Sequence, residues 1–192
     1  LILRVSELRR YWLNFILVLA ISMSAILLAG CGSGESEEAI FLQISDPGQI
    51  MTIEDLLATP YKELSNYSTE GLSGANNVSY GFLRVGEGDP YDYEVRFYDS
   101  HQAAIDQGTA MAIEGTGADA VLSEDDATYK SGVKNRRTII GGGVGGGARS
   151  GIGPKFGTYA IFGNIILLCQ GADPETSLER CALMANTLVP IE

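Results

Sequence analysis

The chain has 192 residues, 24 acidic and 13 basic, and a formal net charge of −11. An acidic surface repels a phosphate backbone, which excludes general nucleic-acid binding as a default. The length suits one compact domain with an appended segment, and 9 Tyr, 6 Phe and 1 Trp supply bulk for its core.

The first element is a charged start, Arg4, Arg9 and Arg10, followed by an uncharged apolar run from Tyr11 to Gly30. A basic n-region and an apolar h-region make an export signal. The run is also long enough to span a bilayer, so a plain N-terminal anchor is the competing reading. The ending separates the two. Leu28-Ala29-Gly30-Cys31 sets two small residues before a cysteine, and Gly32-Ser33-Gly34-Glu35-Ser36-Glu37-Glu38 then turns polar. This order resembles the signal and lipobox of bacterial lipoprotein precursors. The resemblance implies cleavage before Cys31, a lipid on its sulfur, and a mature protein held on the extracytoplasmic face of a membrane in the cell envelope. Arg9-Arg10-Tyr11-Trp12-Leu13 also resembles a twin-arginine signal, but the very apolar run behind it fits the ordinary export route. Residues 1–30 are therefore expected to form a signal peptide. Removing them takes away three Arg and one Glu and leaves a net charge of −13.

Residues 31–48 are Gly-, Ser- and acid-rich and read as a flexible tether. Residues 49–192 read as a single domain. Thr52 with Asp55 can cap a short helix from Ile53 to Ala58, which Pro60 stops. Residues 65–77 read as loop. Asn66-Tyr67-Ser68 and Asn77-Val78-Ser79 match a glycosylation pattern, a match that the resemblance to bacterial lipoproteins implies is chance.

Tyr80 to Val85 reads as a strand and Gly86 to Pro90 as a turn. Tyr91, Tyr93, Val95 and Phe97 then alternate with Asp92, Glu94, Arg96 and Tyr98. That period of two predicts a strand with one buried and one wet face. Asp99 with Gln102 offers a capping box for a helix from Ser100 to about Glu114. Gly115 is a natural stop.

The order recurs at the end of the chain. Thr158 to Phe162, a Gly163-Asn164 turn and Ile165 to Gln170 predict a hairpin. Asp173 can cap, Pro174 fits the first helical position, and a helix runs to about Leu188. The expected fold is α+β: an antiparallel four-stranded sheet in a β-β-α … β-β-α order with helices packed on one face. The second hairpin has no polar face, so something must cover both its sides. The closing β-β-α resembles that of small extracytoplasmic lipoprotein and sensor domains, which bears on fold and not on activity.

If Cys31 carries lipid, Cys169 and Cys181 remain as a pair in a compartment that can oxidise them. A helix doubling back over its preceding strand brings them close, which favours a disulfide. Two small buried hydrophobes are the alternative.

Residues 127–172 contain no acid and six bases: Lys130, Lys134, Arg136, Arg137, Arg149 and Lys155. The segment at about 127–157 is a basic Gly-rich excursion around Gly141-Gly142-Gly143-Val144-Gly145-Gly146-Gly147. One reading is an anion or acidic-partner site in which Arg136, Arg137, Arg149 and Lys155 converge. The other is a flexible loop whose bases neutralise the acidic remainder of the domain. Gly141, Gly143 and Gly146 satisfy G-x-G-x-x-G, but no helix follows, as a dinucleotide site requires.

His101 is the only histidine, so a two-His metal site is excluded, and no nucleophile is paired with a base by any motif. Glu87, Asp89, Asp92 and Glu94 read as a solvated turn rather than a Ca²⁺ site. No catalytic residue, metal or cofactor is expected. The expected role is a non-catalytic binding or interaction domain, reaching the membrane through lipid on Cys31 and meeting a protein or a small anionic ligand, but no nucleic acid. A cell-envelope hydrolase or other enzyme with no recognisable motif is the alternative.

Overall fold

The computed structural model describes residues 41–140 and 151–189. The signal segment, Cys31, Arg149 and the Gly-rich run at 141–147 lie outside the described residues. Every residue of the described core lies in the unit Phe41–Glu192.

The fold is α+β. Eight strands form: β1 Ile44–Ser45, β2 Lys62–Asn66, β3 Ala75–Leu83, β4 Tyr91–Tyr98, β5 Arg137–Ile140, β6 Gly151–Pro154, β7 Phe156–Phe162 and β8 Ile165–Gln170. Six of them make one sheet in the order β1-β7-β8-β4-β3-β2. The two expected hairpins, β3–β4 and β7–β8, are its antiparallel centre, with β4 against β8. The expected sheet of four strands is therefore widened at both edges. The two-residue β1 pairs in parallel with β7. It is recruited from residues that read as tether. β2 pairs antiparallel with β3, which begins five residues earlier than expected. Both strands draw on the Ser- and Asn-rich stretch that reads as loop. The remaining strands, β5 and β6, form a separate two-stranded ribbon.

The helices do not pack on one face; they cover both. Helix α1, Ile53–Ala58, carries the expected Thr52–Asp55 capping box. Helix α2 runs through α-helical His101–Ala103, π-helical Ala104–Gly108 and α-helical Thr109–Glu114. Its cap is Ser100, whose hydroxyl accepts from Ala103 N, and not the Asp99 expected. Helix α3, Pro174–Leu188, starts at the Asp173 cap with Pro174 in its first turn.

Helices α1 and α3 lie over the face that carries Tyr93, Val95 and Phe97 of β4 with Ile165, Leu167 and Cys169 of β8. Helix α2 lies over the opposite face, packing Ala104 and Ala112 against Tyr98, Ile166 and Leu168. The reason is in β7 and β8, which are apolar on both sides and need two covers. Cys169 and Cys181 are bonded, with Cα atoms 5.6 Å apart, and join β8 to α3.

Candidate functional site

Strand alternation gives β4 its second face: Glu94, Arg96 and Tyr98 point under α2. This face is not wet. Glu94 and Arg96 are both 0 % exposed, contrary to the expectation from their polarity. Their third partner comes from far along the chain. Gly132, at φ +76°, turns the backbone into a 3₁₀ helix, Val133–Arg136, whose last residue points back at β4. A side chain at Gly132 would strike the ring of Tyr67.

Glu94 is held from both sides. Its Oε1 accepts from Arg96 Nε at 2.8 Å and from Arg136 Nη2 at 3.1 Å. Its Oε2 accepts from Arg136 Nε at 2.8 Å. Arg136 also donates from Nη1 to the Tyr129 carbonyl and from Nη2 to the Ser131 carbonyl. Arg96 Nη2 lies 2.7 Å from Oε1 as an ion pair without a hydrogen bond of its own. The Tyr129 ring faces both guanidinium groups, 4.6 Å from Arg136 Cζ and 5.3 Å from Arg96 Cζ. One carboxylate thus faces two buried cations, and a π face offsets part of the excess positive charge. Tyr129 is fixed in turn, since its hydroxyl donates to the Ser68 carbonyl and its backbone N–H to Glu114.

Burial pushes the Glu94 carboxyl up. The charges of Arg96 and Arg136 and the hydrogen bonds from both outweigh burial and hold it below the usual carboxylate range. Burial raises the Tyr129 and Tyr98 phenols. Arg96 Nη1 and the Tyr98 hydroxyl have no hydrogen-bond partner among the described residues. Tyr98 lies under Gly108 of the π-helical turn, where a Cβ would come within 2.5 Å of the phenol oxygen.

A second polar group lies further along β4. Lys155 Nζ donates to Asp92 Oδ2 at 2.6 Å and to the Tyr80 hydroxyl at 2.9 Å, and Tyr80 also donates to Asp92. Tyr67 stacks on Tyr80 with ring centroids 5.8 Å apart, and Asn135 Nδ2 donates to the Tyr67 hydroxyl.

Of the three expected anion-site residues that are described, two are engaged by acids of β4. Arg136 is buried on Glu94 and Lys155 is committed to Asp92, so both act as internal counter-charges. Arg137 lies at the base of the ribbon opposite Pro154. Arg149 lies outside the described residues. The acidic turn is likewise divided, with Asp92 on Lys155 and Glu94 in the core. His101 Nδ1 donates to the Gly163 carbonyl at 2.7 Å. No group of three or more His, Cys, Asp or Glu among the described residues is arranged to hold a metal ion. A shallow cleft of about 310 Å³ at the far end of β4 is lined by Ile50, Thr52, Asn76, Asn77 and Asp99, with buried Asn164 at its base.

The residues thus define an α+β domain with a disulfide-closed strand–helix end and a buried Glu–Arg–Arg centre. Residues 52–190 match DUF6810, a family of unknown function, and the chain belongs to that family. No curated protein and no solved structure matches the chain. No helix among the described residues is long and apolar enough to cross a membrane.

Proposed function

We propose that the protein is a lipid-anchored binding or interaction domain on the extracytoplasmic side of the membrane. The observation that carries this reading is how the three cysteines divide. Cys169 and Cys181 are bonded to each other, which suits an oxidising compartment. That leaves Cys31, and it stands in the lipobox Leu28-Ala29-Gly30-Cys31.

The charged centre supports a binding scaffold rather than a catalyst. A general acid or base needs an oxygen within reach of a substrate proton. Glu94 has both oxygens occupied by guanidinium groups and is shut off from water.

Labelling cells with radioactive palmitate tests the address. The wild-type protein takes up label and is processed before Cys31. Cys31→Ser accumulates as unlabelled precursor. Labelled and normally processed Cys31→Ser would remove the basis of the proposal.

A further inference from the structure

The ribbon of β5 and β6 stands outside the main sheet, and among the described residues its strands pair only with each other. Ile139 and Ile152 are directly opposed in it. They are 85 % and 65 % exposed, the highest values of any large apolar side chain among the described residues. Opposed residues share a face and touch, so the two make one apolar spot surrounded by water. Soluble proteins usually blunt such an edge with charge or cover it.

Bases precede the ribbon along the chain. Arg137, two residues before Ile139 at the base of the ribbon, is half-buried with its Nε closed to water, so it is not one of the surface bases. Lys130 and Lys134 are exposed on the chain leading into the ribbon. Lys134 makes only a 3.5 Å contact with Glu124, between two exposed side chains. The acid-free segment 127–172 contrasts with the rest of the chain after Gly30, which holds all 23 acids and 4 bases. Arg136 and Lys155 are spent on Glu94 and Asp92, so the exposed bases on the chain leading to the apolar spot are Lys130 and Lys134.

Connectivity points the same way. β1, within the segment that reads as tether, pairs with β7, and the Gln43 side chain donates to Thr158 Oγ1 and the Tyr159 carbonyl. β6 leads into β7 through Lys155. Tether and ribbon thus join the domain at one strand. Thr158 is four residues past Pro154, about 13 Å of extended chain. Nine residues lie between Cys31 and Phe41, ten chain steps with a reach of at most about 35 Å.

We infer that the ribbon is a membrane-docking arm. Ile139 and Ile152 seat at the headgroup–acyl boundary of an anionic phospholipid bilayer, and the exposed Lys130 and Lys134 face its phosphates. The inference takes its setting from the lipid-anchor reading. An acyl chain combined with a basic patch holds a protein more firmly and in one orientation. The acidic body then faces away from the negative surface.

The test uses the Phe41–Glu192 unit, which lacks Cys31, so its outcome is independent of acylation. Trp12, the only tryptophan of the chain, lies outside that unit, so Ile139→Trp reports on the ribbon alone. With phosphatidylglycerol vesicles, its emission should shift to the blue and be quenched by brominated acyl chains. With phosphatidylcholine vesicles it should change little. Adding Lys130→Gln and Lys134→Gln should weaken partition at least about tenfold, since each base near an anionic surface contributes about a fivefold factor. These two side chains are exposed, so an unchanged melting temperature is expected. Unchanged emission with phosphatidylglycerol overturns the inference, as does an equal response to both lipids. A blue shift that needs no vesicles and grows with protein concentration also overturns it and assigns the ribbon to a second copy of the chain.

Discussion

Arg136 Nε lies 2.8 Å from Glu94 Oε2 across 42 residues of chain, and both side chains are closed to water. This pair ties the basic middle segment to the central strand of the sheet. Arg96 shares the same carboxylate. Removing Glu94 leaves two buried guanidinium groups without their counter-charge. Glu94→Gln should therefore destabilise by about 3–5 kcal/mol, the usual cost of breaking a buried pair from one side. Phe97→Ala, a large truncation in the opposite core, should cost a similar ~3–5 kcal/mol. Urea melts of the two variants check this. A near-neutral Glu94→Gln would mean the carboxylate is solvated after all.

The same pair sets a pH dependence. The Glu94 carboxyl is lower in the folded protein than in the unfolded chain. Its contribution is therefore complete above the unfolded value of about 4.3 and is lost as pH falls through the lower folded value. Asp173, at the cap of α3, is also held low by its hydrogen bonds from Thr176. Comparison with Glu94→Gln separates the two. Between pH 6 and 2 the wild type should lose more stability than the variant. Parallel curves would show that Glu94 does not titrate with folding.

The disulfide closes a loop with a sequence separation of 12. In the chain-entropy model such a loop contributes about 3 kcal/mol. Paired Cys169→Ala and Cys181→Ala should lower stability by that order while leaving the sheet in place. Reductant should destabilise the wild type but not the double variant, as read by thermal melts. A wild type indifferent to reductant, with two alkylatable thiols, would contradict the bond.

The π-helical turn makes a paired prediction. A Cβ on Gly108 would lie 2.4 Å from Ile166 Cδ1 and 2.5 Å from the Tyr98 hydroxyl. Gly108→Ala should cost about 1–3 kcal/mol through overpacking. Tyr98→Phe should be near neutral, because the hydroxyl it removes has no partner among the described residues. Tyr98→Phe should also relieve part of the Gly108→Ala cost, which a double-mutant cycle measures. Strict additivity would place the clash elsewhere.

Local signals made much of this fold legible. Tyr93, Val95 and Phe97 are buried as their period of two predicts. Asp173 and Pro174 start α3 where capping chemistry puts its first turn. The doubly apolar β7 and β8 announced two covers, although the expected helices were assigned to one face. What the pattern could not reveal is whether a polar face is wet. Alternation marks that Glu94 and Arg96 share a side, and burial depends on a partner 42 residues away. The signal was present in the charge distribution. An acid-free stretch containing Arg136 and Lys155 matched two acids, Glu94 and Asp92, in β4. The edge strands were hidden for another reason. β1 has only two residues and β2 is mostly exposed, so neither carries a hydrophobic period.

The central claim is that the mature protein begins at an acylated Cys31 and is closed by Cys169–Cys181. Mass analysis of non-reduced protein extracted from membranes tests both halves at once. The account predicts an N-terminal Cys31 peptide heavier by its lipid, and one cross-linked peptide joining Cys169 to Cys181. An N-terminal peptide that still contains Trp12, or a Cys31 thiol without added mass, would contradict it.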